Sequence, residues 1–240
     1  MRQDRRVVID GPLQRHLAGA LRLRVDEPLT LVDGAERLHG RVIGVDRREL
    51  VVAVERVEAL PAEPFGLTLA IGLPKGKKLE EIVRHAVELG VGRVLPIVTE
   101  RSVARGRDGG GRGERMDLIA LEAAQQSGRA QVPQVAAPEP LAAFAAKAPA
   151  GCGVVLWERA EGPPLLDVLM DRHEDCIHPG RRDATLVIGP EGGLAEREVA
   201  MLAASGYRVA TLGPFTLRTE TACLAALAVA AAALSRVDRP

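Results

Sequence analysis

Two short segments concentrate the residues whose types and spacing could do chemistry. In the first, Leu186-Val187-Ile188-Gly189-Pro190-Glu191-Gly192-Gly193-Leu194, an apolar run passes straight into three glycines, a proline and one carboxylate. Ligands of open α/β sheets bind beyond the carboxyl ends of the strands, and glycine lets the backbone approach a ligand with no Cβ in the way. Glu191 would repel a phosphate, so a ligand with a positive group or hydroxyls suits this loop. As a purely structural turn, the same Glu191 would cap the following helix. The second segment, Leu212-Gly213-Pro214-Phe215-Thr216-Leu217-Arg218-Thr219-Glu220-Thr221-Ala222, holds a Gly-Pro turn and one arginine. Its Thr219, Glu220 and Thr221 stand where an N-cap and a first-turn acid belong. Capping alone would account for those three; two glycine loops leaving two strand ends match a shared ligand pocket better.

Such loops need strands to end before them and helices to begin after them. Beyond Phe65 the chain alternates between strands (67–73, 93–98, 154–157, 185–188, 207–212) and helices (78–89, 115–127, 195–204, 221–234). In the first of these helices Leu79, Ile82, Val83 and Ala86 share one face, and Gly90 stands where a helix-ending glycine belongs. This alternation predicts an α/β domain with a mainly parallel, helix-covered sheet. The last helix is apolar nearly all round and must be buried or lie in an interface. Ahead of a proline-interrupted linker at 60–66, residues 29–32, 38–45 and 50–57 read as short strands with turns at Asp33-Gly34 and Asp46-Arg47-Arg48. With one helix over 13–23, they describe a small β-barrel. The predicted domains are 1–64 and 65–240.

Composition excludes several classes. The 240 residues carry 32 basic and 32 acidic side chains, and are 47% hydrophobic but only 2% aromatic. That is too apolar and too weakly charged for disorder. The longest apolar run, 222–234, falls short of the roughly 20 residues that span a bilayer, so no membrane association is expected. The polar start Met1-Arg2-Gln3-Asp4 leads into no apolar signal segment. Cys152, Cys176 and Cys223 are scattered with no Cys-x-x-Cys pair, which fits a reducing, cytoplasmic setting. His173, Cys176 and His178 cluster without a fourth ligand, and no metal is expected. The glycine-rich stretch 106–113 lacks the Gly-Lys-Ser/Thr of a phosphate loop. It reads as a mobile basic loop. No G-x-G-x-x-G follows a strand, and no G-x-S-x-G elbow occurs.

The two loops together, Ile188-Gly-Pro-Glu-Gly-Gly-Leu194 and Leu212-Gly-x-x-x-Leu217-Arg-Thr-Glu-Thr-Ala222, resemble the RsmE family of SPOUT methyltransferases, which methylate uridine N3 in 16S ribosomal RNA. Further blocks extend the resemblance along nearly the whole chain. They are Pro74-Lys75-Gly76, Glu88-Leu-Gly-Val91, Pro96, Glu100-Arg-Ser-Val103, Glu122-Ala-Ala-Gln-Gln-Ser-Gly-Arg129 and Val132-Pro133, preceded by Arg15-His-Leu, Leu21-Arg22 and Val32-Asp-Gly34. The chain departs from the family pattern at Gln125, where an acid is common, and at Asp26-Glu27, where Gly-Asp is usual. Only one histidine, His16, precedes Leu21-Arg22.

The resemblance implies a PUA-like RNA-binding barrel followed by an α/β domain with a C-terminal trefoil knot that holds S-adenosylmethionine. It also implies a homodimer packed through the knotted domain, and 16S rRNA in the small ribosomal subunit as partner. On this reading Ile188, Gly189, Pro190, Glu191, Gly192, Leu212, Gly213, Leu217, Arg218, Thr219 and Ala222 bind the cofactor, mostly through backbone groups. Methylating N3 removes a proton from uracil, and negative charge develops across O2, N3 and O4. Arg218 is the candidate to stabilise it; its alternative is a salt bridge to Glu191 or Glu220. No nearby His or Asp offers itself as the base.

For RNA, Arg5, Arg6, His16, Arg22, Lys75, Arg101 and Arg129 are the contacts expected, with Arg15, Lys77, Lys78 and the loop arginines Arg105, Arg107 and Arg112 as further basic candidates. Few aromatics leave little for base stacking, so phosphate contacts and RNA shape should dominate, with one uridine flipped into the pocket. Charge agrees with a divided surface. Residues 1–24 hold six basic and two acidic side chains and 65–130 hold 11 and eight. Residues 25–64 hold five and nine, and 131–240 hold 10 and 13. Neutrality is thus a sum of opposed patches. Two other readings share these residues: a SPOUT enzyme acting on another RNA site, and a catalytically silent RNA-binding or ribosome-assembly protein.

Overall fold

A computed structural model of the chain describes residues 5–33, 35–60, 63–102, 112–171, 177–178 and 181–235. The chain divides into two units, Met1–Ala62 and Glu63–Pro240.

In the first unit, strands β1 (Arg6–Asp10), β2 (Pro28–Asp33), β3 (Glu36–Val45) and β4 (Glu49–Ala59) form an antiparallel sheet of order β1-β4-β3-β2. Alternation puts Val42, Leu50 and Val52 on one face, where they pack with Ile9 and Leu17. Two register shifts between β3 and β4, at His39/Gly40 and Val42/Gly44, bend the ladder. Asp46 makes the β3–β4 turn by accepting from the N–H groups of Arg48 and Glu49 at 2.6 and 2.8 Å. The helix expected over 13–23 starts earlier and ends earlier. Gly11, at φ 62°, turns the chain out of β1, and Pro12 opens helix α1 (Gly11–Arg15), which widens into a π-type turn over His16–Ala20. Arg22, at φ 53°, then takes the chain out of helical geometry. Buried Gln14 donates to the Asp46 carbonyl and pins this segment to the β3–β4 turn.

The second unit is an eight-stranded sheet of order β12-β9-β11-β5-β6-β7, with β8 also pairing β6 and β10 pairing β11. In chain order its elements are β5 (Phe65–Gly72), α2 (Lys78–Glu88), β6 (Arg93–Val98), α3 (Arg112–Gln126), β7 (Gln134–Val135), β8 (Glu139–Pro140) and α4 (Leu141–Ala145). There follow β9 (Cys152–Leu156), α5 (Leu165–Met170), β10 (Ile177–His178), β11 (Arg181–Ile188), α6 (Glu196–Ala204), β12 (Arg208–Ala210) and α7 (Thr219–Leu234). Every pairing is parallel except β10 with β11. Late-arriving β11 lies between β5 and β9, so that Leu186 pairs with Leu69 on one side and Val154 on the other.

Helices cover both faces, as a parallel sheet requires. Leu186, Ile188, Leu69 and Ile71 share one apolar cluster with Ile82, Leu169, Cys223 and Leu227, from α2, α5 and α7. On the other face Val187 and Ala70 pack with Phe144 from α4 and Leu202 from α6. The short helices α4 and α5 and the two-residue strands have no periodicity to read and went unpredicted. Among the described residues no helix is long and apolar enough to cross a membrane.

One expected RNA contact is placed otherwise. Arg129 has a side chain only 10% exposed, paired to Glu63 at 2.8 Å and donating to the carbonyls of Val87, in the last turn of α2, and of Val91 beyond it. Its donors are engaged in closing the helix–strand corner.

Leu186 is fully buried at the centre of β11. Leu186→Ala should cost about 2–5 kcal/mol by the usual transfer and cavity terms. Urea denaturation measures it, and a loss below about 1 kcal/mol would contradict a packed strand between β5 and β9.

Candidate functional site

The loops after β9, β11 and β12 enclose a cavity of about 520 Å³ at the carboxyl end of the sheet. All eleven residues expected to hold a cofactor line it: Ile188, Gly189, Pro190, Glu191, Gly192, Leu212, Gly213, Leu217, Arg218, Thr219 and Ala222. The wall also contains Lys78, expected only as an RNA contact, and residues that the sequence did not single out, among them Trp157, Glu158 and Phe215.

The first loop is shaped by close approaches. Gly193 sits at φ 71°, and a Cβ there would strike the Glu158 carboxylate. A Cβ on Gly72, at the end of β5, would strike Pro190. At Gly72 another residue would move the loop, and at Gly193 it would displace the Glu158 carboxylate and strain a left-handed backbone. Arg101 buttresses the loop from outside, donating to the Gly192 carbonyl at 2.8 Å. The helix that follows is capped by Glu198, not by Glu191. Buried Glu198 accepts from the N–H of Ala195 at 2.9 Å and from that of Glu100 at 2.8 Å.

Glu191 instead turns back across the mouth of β5. Its carboxylate accepts from the backbone N–H of Lys75 at 3.2 Å and lies 3.3 Å from the Lys78 ammonium. The same ammonium lies 3.1 Å from Glu220, so one lysine at the start of α2 ties both glycine loops together. Burial alone would raise the Glu191 pKa. The N–H groups of Glu191 itself and Lys75, and then Lys78, outweigh burial and hold it below the ordinary value. Its own backbone N–H and then Lys78 depress Glu220 likewise, while Glu220 and Glu191 raise Lys78.

Strand β12 is shorter than expected because Thr211 leaves it to bridge Pro164, and Gly213 turns at φ 117°. Helix α7 correspondingly begins at Thr219, with Arg218 as its extended N-cap residue. The salt bridge open to Arg218 in the sequence does not form, because Lys78 holds both Glu191 and Glu220. The Arg218 side chain is exposed and makes no hydrogen bond or ion pair with any described residue; only its carbonyl is engaged, by the N–H of Ala222. It acts on Glu220 only through space.

The third wall follows β9. The Trp157 N–H donates to the Ala210 carbonyl, whereas its indole Nε1 is buried with no partner. Glu158 is exposed and unpaired among the described residues. No motif marks it; only its place just beyond the end of a buried strand could have singled it out. Phe215, 81% exposed, stands at the rim, whereas Phe65, Phe144 and Tyr207 are buried.

The expected RNA contacts distribute over both units. In the first, Arg5 pairs with Glu36 at 2.8 Å, Arg6 and Arg22 are exposed, and His16 is half-buried. In the second, Lys75 is exposed and Arg101 braces the Gly192 loop. Arg105 and Arg107, the Arg112 side chain, His173, Cys176 and the His178 side chain lie outside the described residues. Among those described, no cluster of potential metal ligands occurs.

Comparison with known proteins places relatives beside this geometry. The profile of the RNA methyltransferase domain family matches residues 61–231. Ribosomal RNA small subunit methyltransferase E of Synechocystis is 31% identical, the match covering 89% of this chain and 68% of that protein. Its namesake from Mycobacterium bovis is also 31% identical, over 96% and 88%. The crystal structure of ribosomal RNA small subunit methyltransferase E from Neisseria gonorrhoeae bound to S-adenosyl methionine superposes with a TM-score of 0.78 at 27% identity. That match covers 93% of this chain and 90% of the other.

The Lys78 bridge has a pH signature. Carboxylates with depressed folded pKa values stabilise fully above the ordinary value of 4.5 and lose that contribution as pH falls through the folded values. Lys78→Met should therefore lower the melting temperature at pH 7, and the gap to the unmodified protein should close below pH 4.5. A gap that persists unchanged to pH 3 would contradict the bridge.

Proposed function

The chain belongs to the ribosomal RNA small subunit methyltransferase E family of RNA methyltransferases, and we propose on that footing that it methylates N3 of one uridine in 16S rRNA. The activity is S-adenosylmethionine-dependent rRNA methylation. The observation that carries the reading is convergence. Two loops separated by α6 and β12, with every cofactor residue expected, close one cavity beside an arginine whose side chain has no partner among the described residues.

The cavity suits the cofactor. Its volume falls in the usual range for small-molecule sites. Leu156, Ile188, Leu212, Leu217 and Ala222 offer an apolar wall for a flat purine, and the glycines leave peptide groups uncovered for polar atoms. When bound, S-adenosylmethionine supplies an electrophilic methyl group on a sulfonium.

The protein's part is to orient and to stabilise. The glycine loops and Lys78 fix the pocket, so that a uracil entering it meets the cofactor in one geometry. Arg218 faces the site with all its donors available, and it stabilises the negative charge that spreads over uracil O2, N3 and O4 as the N3 proton leaves. Phe215 offers the flipped base a ring at the rim, a platform that the low aromatic content argued against. Arg6, His16, Arg22 and Lys75 contact the rRNA, and Arg101 does so while bracing its loop. The first unit acts as a PUA-like barrel domain.

The C-terminal segment completes a trefoil knot in this reading. Supporting it are β11 lying between the earlier strands β5 and β9, and α7 returning to pack on β5, β11 and α2. A homodimer through the knotted domain accounts for α7, whose Thr221, Ala228 and Ala232 remain exposed on an otherwise apolar helix. The cytoplasm, where ribosomal subunits mature, is the compartment this function requires.

Methyl transfer from labelled cofactor to small subunits lacking the modification tests the proposal. The unmodified protein should label one uridine at N3. Arg218→Ala should bind the cofactor with nearly unchanged affinity, yet transfer methyl about 10²–10³-fold more slowly. Unchanged turnover would remove Arg218 from the mechanism.

A further inference from the structure

Two carboxylates, Glu158 and Glu191, line the cavity, a third, Glu220, shares Lys78 with Glu191, and their partners differ. Glu191 accepts from the Lys75 N–H and faces the Lys78 ammonium. Glu220 takes the same ammonium from its other side, at 3.1 Å. Both are engaged within the protein, and one cation serves the two. Glu158 has neither an ion pair nor a hydrogen bond with any described residue, yet it lines the same cavity.

Its position is held open by the backbone opposite. Gly193 adopts a left-handed conformation directly against the Glu158 carboxylate, and any side chain at 193 would displace it. Trp157, the residue before it, is anchored by its N–H to Ala210 of β12. The carboxylate therefore projects from a fixed strand end into the space between the glycine loops. A charged acceptor kept free in a ligand cavity gains most from donors that the ligand itself brings.

Resting on the reading of this cavity as the S-adenosylmethionine site, we propose that Glu158 is the cofactor-selecting carboxylate, accepting hydrogen bonds from donor groups of the cofactor. Two parts of that molecule present such donors, the ribose diol and the α-ammonium. The role first suggested by the sequence for Glu191, meeting hydroxyls or a positive group, passes to Glu158. Glu191 is the structural member of the pair, holding the first loop to β5 and α2.

Binding calorimetry on the full chain tests this without turnover, using S-adenosylmethionine, S-adenosylhomocysteine and methylthioadenosine. Glu158→Ala should weaken the first two about ten- to a hundred-fold, as loss of a hydrogen bond to a charged group does. Glu158→Gln, which keeps one acceptor and drops the charge, should fall between. Methylthioadenosine keeps the ribose diol and lacks the ammonium. An equal loss with that ligand supports the assignment with the diol as donor, and no loss with it supports the assignment with the ammonium. The melting temperature without ligand should not move, since Glu158 has no protein partner to lose. Variants that bind all three ligands like the unmodified protein would overturn the proposal, as would a fall in unliganded stability that tracks the lost affinity. An unmodified protein that bound no S-adenosylmethionine would instead overturn the parent reading of the site.

Discussion

Everything at the functional end of the second unit depends on where β11 lies. It is hydrogen-bonded to β5 on one edge and to β9 on the other, with helices over both faces, so residues 184–188 have no freedom to shift register. A strand so enclosed delivers Ile188 and the glycines after it to one fixed point. Because β9 runs parallel beside it and β12 runs parallel beside β9, their ends open at the same level. The cavity is the gap among three such ends, and its shape is inherited from sheet geometry.

Electrostatics then sorts the charged residues that the loops bring in. Lys78 lies between Glu191 and Glu220 and engages both. With these three satisfied among themselves, the Arg218 and Glu158 side chains are left as groups of opposite sign without a partner among the described residues. The roles proposed for them, toward an acidic imide ring and toward the donors of a cofactor, rest on that freedom. Had Arg218 taken Glu220, the arginine would be a helix-end salt bridge and the lysine would keep Glu191 alone. The start of α2 beneath the loops decides between the two arrangements.

Much of this was legible in the sequence wherever the pattern was long or the residue type unusual. Helix α2 and strand β6 emerge from periodicity with bounds within a residue of those observed, because each buries a full apolar face. The two glycine loops announce themselves by composition, and all their expected residues line one cavity. Short elements such as α4 and α5 are held by tertiary packing and carry no period of their own. Glu158 and Lys78 belong to no loop motif; Lys78 acts through residues distant in sequence, and Glu158 is notable only for where its strand ends. The charge of Arg129 said nothing of its burial, which depends on Glu63 and on the carbonyls that end α2.

The central claim is that this chain places a single methyl group on N3 of a uridine in 16S rRNA. The most direct measurement is mass spectrometry of nuclease-digested 16S rRNA from a strain lacking the gene and from the same strain carrying it on a plasmid. The account predicts that one N3-methyluridine disappears with the gene and returns with it. An unchanged set of modifications, or the loss of a different one, would contradict it.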